Sequence, residues 1–107
     1  MQNELNIVAI QAKLTWENPA ANLLFFEQKI AQLDSGTDLI VLPEMFSTGF
    51  TMQPASIAQT MKGSTVLWMI ATPRANNLAI VGRIVVQEDN QYYNRAILVH
   101  FNGLIDT

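Results

Sequence analysis

An α/β fold is predicted by two patterns in this sequence. A strand, a helix and a second strand succeed one another over residues 5–42, and two longer strand-like runs joined by a polar turn fill residues 78–101. Strand–helix–strand order is the signature of a βαβ unit, for which parallel strands and a right-handed crossover are expected.

Leu5 to Ala12 (LNIVAIQA) is β-branched and nearly continuously apolar, as in a strand buried on both faces, and Trp16 follows in the connection as a core or interface anchor. Asn18-Pro19 supplies an N-cap and a proline at the first helical position. Leu23, Phe26, Ile30 and Leu33 then recur at helical spacing, which leaves Gln28, Lys29 and Gln32 for solvent, and Ser35-Gly36 is the predicted stop. Asp38 to Leu42 (DLIVL) is short and apolar enough for the centre of a sheet, and Pro43, which has no N–H to donate, stops it.

Residues 47–63 read as a long loop with one helical turn around Ile57 to Met61. Ser64 is the expected cap of a second helix with Val66, Met69 and Ile70 on its buried face, kinked or shortened by Pro73 and closed by Asn76-Asn77. Leu78 to Gln87 and Tyr92 to Phe101 form a hairpin around a four-residue loop, Glu88 to Gln91. Asn102-Gly103 signals a second turn, of type I′, before Leu104-Ile105-Asp106-Thr107 begins another strand.

Half of the 107 residues are hydrophobic (50%) and only 14% are charged, which is more core than so short a chain can wrap. With a strand just beginning at Leu104, this balance leads us to expect that residues 1–107 are the amino-terminal part of a single larger domain, and that the isolated chain self-associates. The net charge of −3 and the scatter of the six Lys and Arg residues argue against a nucleic-acid partner. The start, Met1-Gln2-Asn3-Glu4, lacks the pattern of a signal peptide, and no apolar run approaches the roughly 20 residues needed to cross a bilayer, so no membrane partner and a cytoplasmic location are expected. There is no cysteine, which excludes a disulfide scaffold, a thiolate metal site and a cysteine nucleophile within these residues.

Chemistry concentrates in Leu39 to Phe50 (LIVLPEMFSTGF), where Glu44 directly follows an apolar strand and a proline. That placement puts a carboxylate at the carboxyl edge of the sheet, where open α/β folds gather their ligand-binding groups. Leu42, Met45 and Phe46 offer little solvation for a charge, so desolvation is expected to raise the Glu44 pKa toward neutrality. A purely structural Glu44, capping the next turn or paired with Arg83 or Arg95, fits the same residues.

The run LIVLPEMFSTGF resembles the first catalytic motif of the nitrilase superfamily of carbon–nitrogen hydrolases, and within it the omega-amidase-like branch. The opening strand with Gln11, the first helix with Asn22, the Gly82 strand and YYNRAILVHFNGLIDT follow in that family's order and spacing. The resemblance implies an α-β-β-α sandwich, of which this chain would supply the first strands of both sheets and the first two helices, and a homodimer or other homo-oligomer built through helices. It implies a small-molecule amide substrate, the omega-amide of a 2-oxo acid, cleaved to a carboxylate and ammonia. In that family a cysteine attacks, a lysine stabilises the oxyanion and a glutamate moves the protons. Only the glutamate maps here, as Glu44; the lysine and cysteine are expected beyond Thr107, so the chain alone should be inactive. No cofactor or metal is implied. A nitrile or carbamoyl substrate, or a non-catalytic interaction domain of the same fold, are the alternatives.

The resemblance also sets Phe46 and Phe50 beside the substrate as walls of its pocket, although packing under the loop explains both rings almost as well. His100 lies in an alternating strand without partners for a metal or base role and reads as structural. Trp68 reads as a core or interface anchor and the five methionines as gap-fillers, while the resemblance implies an architectural role for Asn94.

Overall fold

A computed structural model of the chain describes residues 4–14, 18–33, 36–47, 58 and 60–107. Among these there are five strands and two helices, in the order β1 (Ile7–Ala9), α1 (Pro19–Ala31), β2 (Leu39–Glu44), α2 (Ser64–Asn76), β3 (Ala79–Glu88), β4 (Gln91–Val99) and β5 (Ile105–Asp106). Trp16 and most of the predicted loop of residues 47–63, including Ile57, lie outside the described residues.

All five strands belong to one sheet of order β1-β2-β3-β4-β5. The first three are parallel, as the βαβ pattern predicts, and β3-β4 and β4-β5 are antiparallel. The expectation that the strands divide between two sheets is therefore corrected: each consecutive pair is hydrogen-bonded, so the described strands close into a single mixed sheet.

The two crossovers leave α1 and α2 on the same face of this sheet. Phe26 and Ile30 of α1 and Val66 and Met69 of α2 pack with Ile40, Leu42, Ile80, Ile84, Val86, Ile97 and Val99 in one buried cluster. The alternation of each strand selects these positions, since every second side chain points to the helices. The opposite face carries Val41, Val81, Arg83, Ala96 and Leu98, which are half-buried or exposed.

Local departures from the sequence-based expectation have physical causes. Among the described residues β1 is an edge strand only three residues long, with one neighbour and no helix on its far face, so Leu5 and Ile7 are exposed and the apolar run is not buried on both sides. Asn18 caps α1 as expected, its Oδ1 accepting from the Ala21 N–H at 3.2 Å, but the helix ends at Ala31, before Ser35-Gly36. Gly63, not Ser64, is the N-cap of α2, with no side-chain cap bond. Pro73 is accommodated within that helix, which runs on to Asn76 and closes on Asn77 in the left-handed conformation. The β3–β4 loop is tighter than predicted: Asp89 and Asn90 alone form it, both with positive φ (52° and 63°), the two-residue type I′ geometry that matches strand twist. At the β4–β5 turn only Gly103 is left-handed (φ 91°); the His100 carbonyl accepts from the Gly103 N–H, and the His100 N–H donates to the Leu104 carbonyl. This is a three-residue loop with a glycine bulge rather than the expected type I′ turn.

Gly82 is the close-packing point of the core. A Cβ built there would lie 2.7 Å from both Cδ1 and Cε1 of Phe46, whose ring is fully buried and hemmed in by Phe26 (centroids 5.8 Å apart, near-perpendicular) and Trp68 (6.0 Å). The ring has nowhere to retreat. Gly82→Ala is expected to destabilise the fold by about 1–3 kcal/mol, the usual cost of overpacking, checked by chemical denaturation of the two proteins side by side.

Candidate active site

Glu44 is the last residue of β2, and its direction is set by a register shift. Val41 pairs with Val81, yet Glu44 pairs with Arg83, so β2 takes three steps where β3 takes two. In unbroken register Glu44 would oppose Ile84, a core residue on the helix-covered face. The extra residue, at Leu42-Pro43, turns the carboxylate to the opposite face, which is how bulges re-aim side chains. Proline suits the irregularity because it has no N–H to lose from the ladder. Met45, with φ of 52°, then turns the chain back toward the core, where Phe46 is buried.

Two asparagines hold this turn. Asn22, buried on α1, donates from Nδ2 to the Ser47 carbonyl at 2.7 Å, tying the helix to the segment that follows the carboxylate. Asn94 on β4 donates from Nδ2 to Glu44 Oε1 at 2.7 Å. Asn94 shares a face with Ala96, which pairs with Arg83, so Glu44, Arg83 and Asn94 converge on the uncovered face of the sheet. A bond this short to a carboxylate oxygen orients the group through Oε1, and among the described residues Oε2 makes no hydrogen bond.

An open cavity of about 320 Å³ lies here, lined by Val41, Leu42, Glu44, Val81, Gly82, Arg83 and Ala96. A larger one, about 550 Å³, lies at the opposite end, where β1 and β2 begin, and no acidic or basic side chain lines it. We assign the site to the smaller cavity, because it lies at the carboxyl ends of the parallel strands and contains an acid and a base.

The other expected site residues fall as follows. Glu44 is exposed, so the burial anticipated from Leu42, Met45 and Phe46 is not found: Leu42 and Phe46 belong to the buried cluster beneath the helices. Arg95, one of two arginines considered as a partner for Glu44, instead bonds Glu88 and stacks over Tyr93. Phe46 packs against Gly82, Phe26 and Trp68 and is not among the cavity's lining residues, which makes it a core residue of the described fold. Phe50 lies outside the described residues. His100 Nε2 is 3.2 Å from Asp106 Oδ2 across the β4–β5 hairpin, a local link remote from Glu44 in the sheet order. Among the described residues no group of three or more His, Cys, Asp or Glu is arranged to hold a metal ion, and no helix is long and apolar enough to cross a membrane. Sequence reasoning missed Asn94 as a partner of Glu44. Its one signal was a polar side chain on an otherwise apolar strand face, which does not reveal what lies opposite.

Comparison with known proteins places the chain in a family. The profile of the Carbon-nitrogen hydrolase family matches residues 6–106. The omega-amidase YafV of Escherichia coli K12 is 35% identical over 101 residues, which are 94% of this chain and 39% of that protein. An (R)-stereoselective amidase from a Pseudomonas species is 30% identical over 87 residues, 79% of this chain and 32% of that protein. The chain thus spans well under half the length of these relatives. Among solved structures, a CN-hydrolase superfamily protein from Xanthomonas campestris superposes with a TM-score of 0.92 at 27% identity, over 98% of this chain and 40% of that one. An amidase from Nesterenkonia shares the fold at a TM-score of 0.83 and 19% identity, over 96% of this chain and 41% of its own. A match over nearly all of the chain, in sequence profile and in fold, shows that it belongs to the carbon–nitrogen hydrolase family.

Proposed function

We propose that this chain supplies the proton-transfer carboxylate of an amidase, one that hydrolyses a linear non-peptide amide, the omega-amide of a 2-oxo acid, to a carboxylate and ammonia. The observation that carries the reading is the Asn94–Glu44 hydrogen bond at 2.7 Å: a carboxylate turned away from the core and held through one oxygen, the other making no hydrogen bond among the described residues. The similarity to the omega-amidase of E. coli supports the substrate class.

In this mechanism Glu44 takes the proton of the attacking nucleophile and delivers it to the departing ammonia. It then takes a proton from water as water hydrolyses the acyl intermediate and returns it to the departing nucleophile, so one water is consumed for each amide cleaved and the carboxylate is restored. The nucleophile expected from the family resemblance is a cysteine, whose thiol proton Glu44 takes as the sulfur attacks. These 107 residues contain no cysteine, so the chain's contribution is the carboxylate and the groups that aim it.

Two substitutions in the full-length gene product test the assignment. Glu44→Gln keeps size and hydrogen-bonding reach but removes basicity, and should lower turnover of an omega-amide by about two orders of magnitude or more, with melting temperature nearly unchanged. A structural carboxylate gives the reverse pattern, lowered melting and near-normal turnover, and that result would remove the proposal.

Asn94 acts through Glu44. Asn94→Leu should reduce kcat by about 10- to 100-fold with little change in KM, the scale expected when a reacting group is misplaced. Asn94→Asp sets a second carboxylate beside the first, so one of the pair holds its proton to higher pH, and the acid limb of the pH–rate profile should move upward. An unmoved profile in Asn94→Asp would limit Asn94 to a structural role.

A further inference from the structure

We infer that Arg83 is the carboxylate-binding group of the substrate pocket, which makes the enzyme selective for amides that carry an acid at the far end of a short aliphatic chain. The inference rests on the amidase reading above and adds to it the residue that selects the substrate.

Arg83 is the register partner of Glu44 on β3 and lines the same cavity. It forms no ion pair among the described residues, although a carboxylate stands on the neighbouring strand, and Glu44 bonds Asn94 instead. The contrast with Arg95 is informative, because that guanidinium is occupied by Glu88 and Tyr93. Among the described residues the cavity therefore presents one carboxylate and one guanidinium without an ion-pair partner, and the rest of its lining, Val41, Leu42, Val81, Gly82 and Ala96, is aliphatic or glycine.

A substrate with an amide at one end, a few methylenes and a carboxylate at the other matches this lining group by group. The amide meets Glu44, the methylenes lie on the valines and Ala96, and the carboxylate meets the guanidinium, whose planar fork binds two oxygens at once. Charge makes the same demand. An anionic substrate entering beside an acidic side chain is favoured by a cation at the site, and Arg83 is the basic residue of the lining.

The test compares wild type, Arg83→Met and Arg83→Lys full-length proteins on two amides of equal chain length, one with a terminal carboxylate and one without. Arg83→Met should lower kcat/KM for the acidic amide by about 10- to 100-fold, mainly through KM, and change the neutral amide by less than about threefold. Arg83→Lys, which keeps the charge but not the fork, should fall between. Loss of the same factor on both amides, or on neither, would overturn the inference.

Binding of 2-oxoglutarate, followed by NMR shift changes in wild type and Arg83→Met, separates this idea from the amidase reading. A wild type that hydrolyses neither amide yet binds the diacid through Arg83 would sink the amidase proposal and retain the carboxylate site. Active hydrolysis with diacid binding unaffected by Arg83→Met would do the opposite.

Discussion

Between Val41 and Glu44 the β2 backbone takes three steps while β3 takes two, and the position of the whole site depends on that mismatch. A strand alternates its side chains, so without the extra residue Glu44 would follow Ile40 and Leu42 into the apolar layer beneath the helices. A carboxylate there would have to be neutralised or paired, at a cost of several kcal/mol. The shift at Leu42-Pro43 places it instead on the face where Asn94 and Arg83 already point.

Holding the shift in place requires the core on the other side. Once Met45 has turned with positive φ, Phe46 can drive its ring between the helices and β3, and only a glycine at position 82 lets the ring lie against the strand. Asn22 then anchors the Ser47 carbonyl to α1. A buried aromatic ring and a buried amide on one side thus fix the backbone that presents a carboxylate on the other. This division explains why residues adjacent in sequence, Glu44 and Phe46, have unrelated jobs: one faces the cavity and the other is core.

The same geometry leaves apolar surface uncovered. Leu24, Phe25 and Leu67 on the helices, and Leu5 and Ile7 at the β1 edge, are exposed, in keeping with a composition too apolar for 107 residues. The chain matches about two-fifths of the length of its relatives, and it carries Glu44 with its supporting groups but no thiol.

By itself the sequence determined the βαβ order, the hairpin, the helix start at Asn18-Pro19 and the candidacy of Glu44, because each rests on local periodicity, capping or a short motif that is read along the chain. Only the tertiary structure decided what surrounds Glu44. The partnership with Asn94 spans 50 residues of sequence, the pairing with Arg83 depends on a one-residue slip between strands, and the burial of Phe46 depends on a glycine 36 positions away. Strand register across a sheet is set by packing and backbone irregularity rather than by composition, and a slip of one residue exchanges the two faces, so which side chains meet the carboxylate is settled only when the sheet has formed.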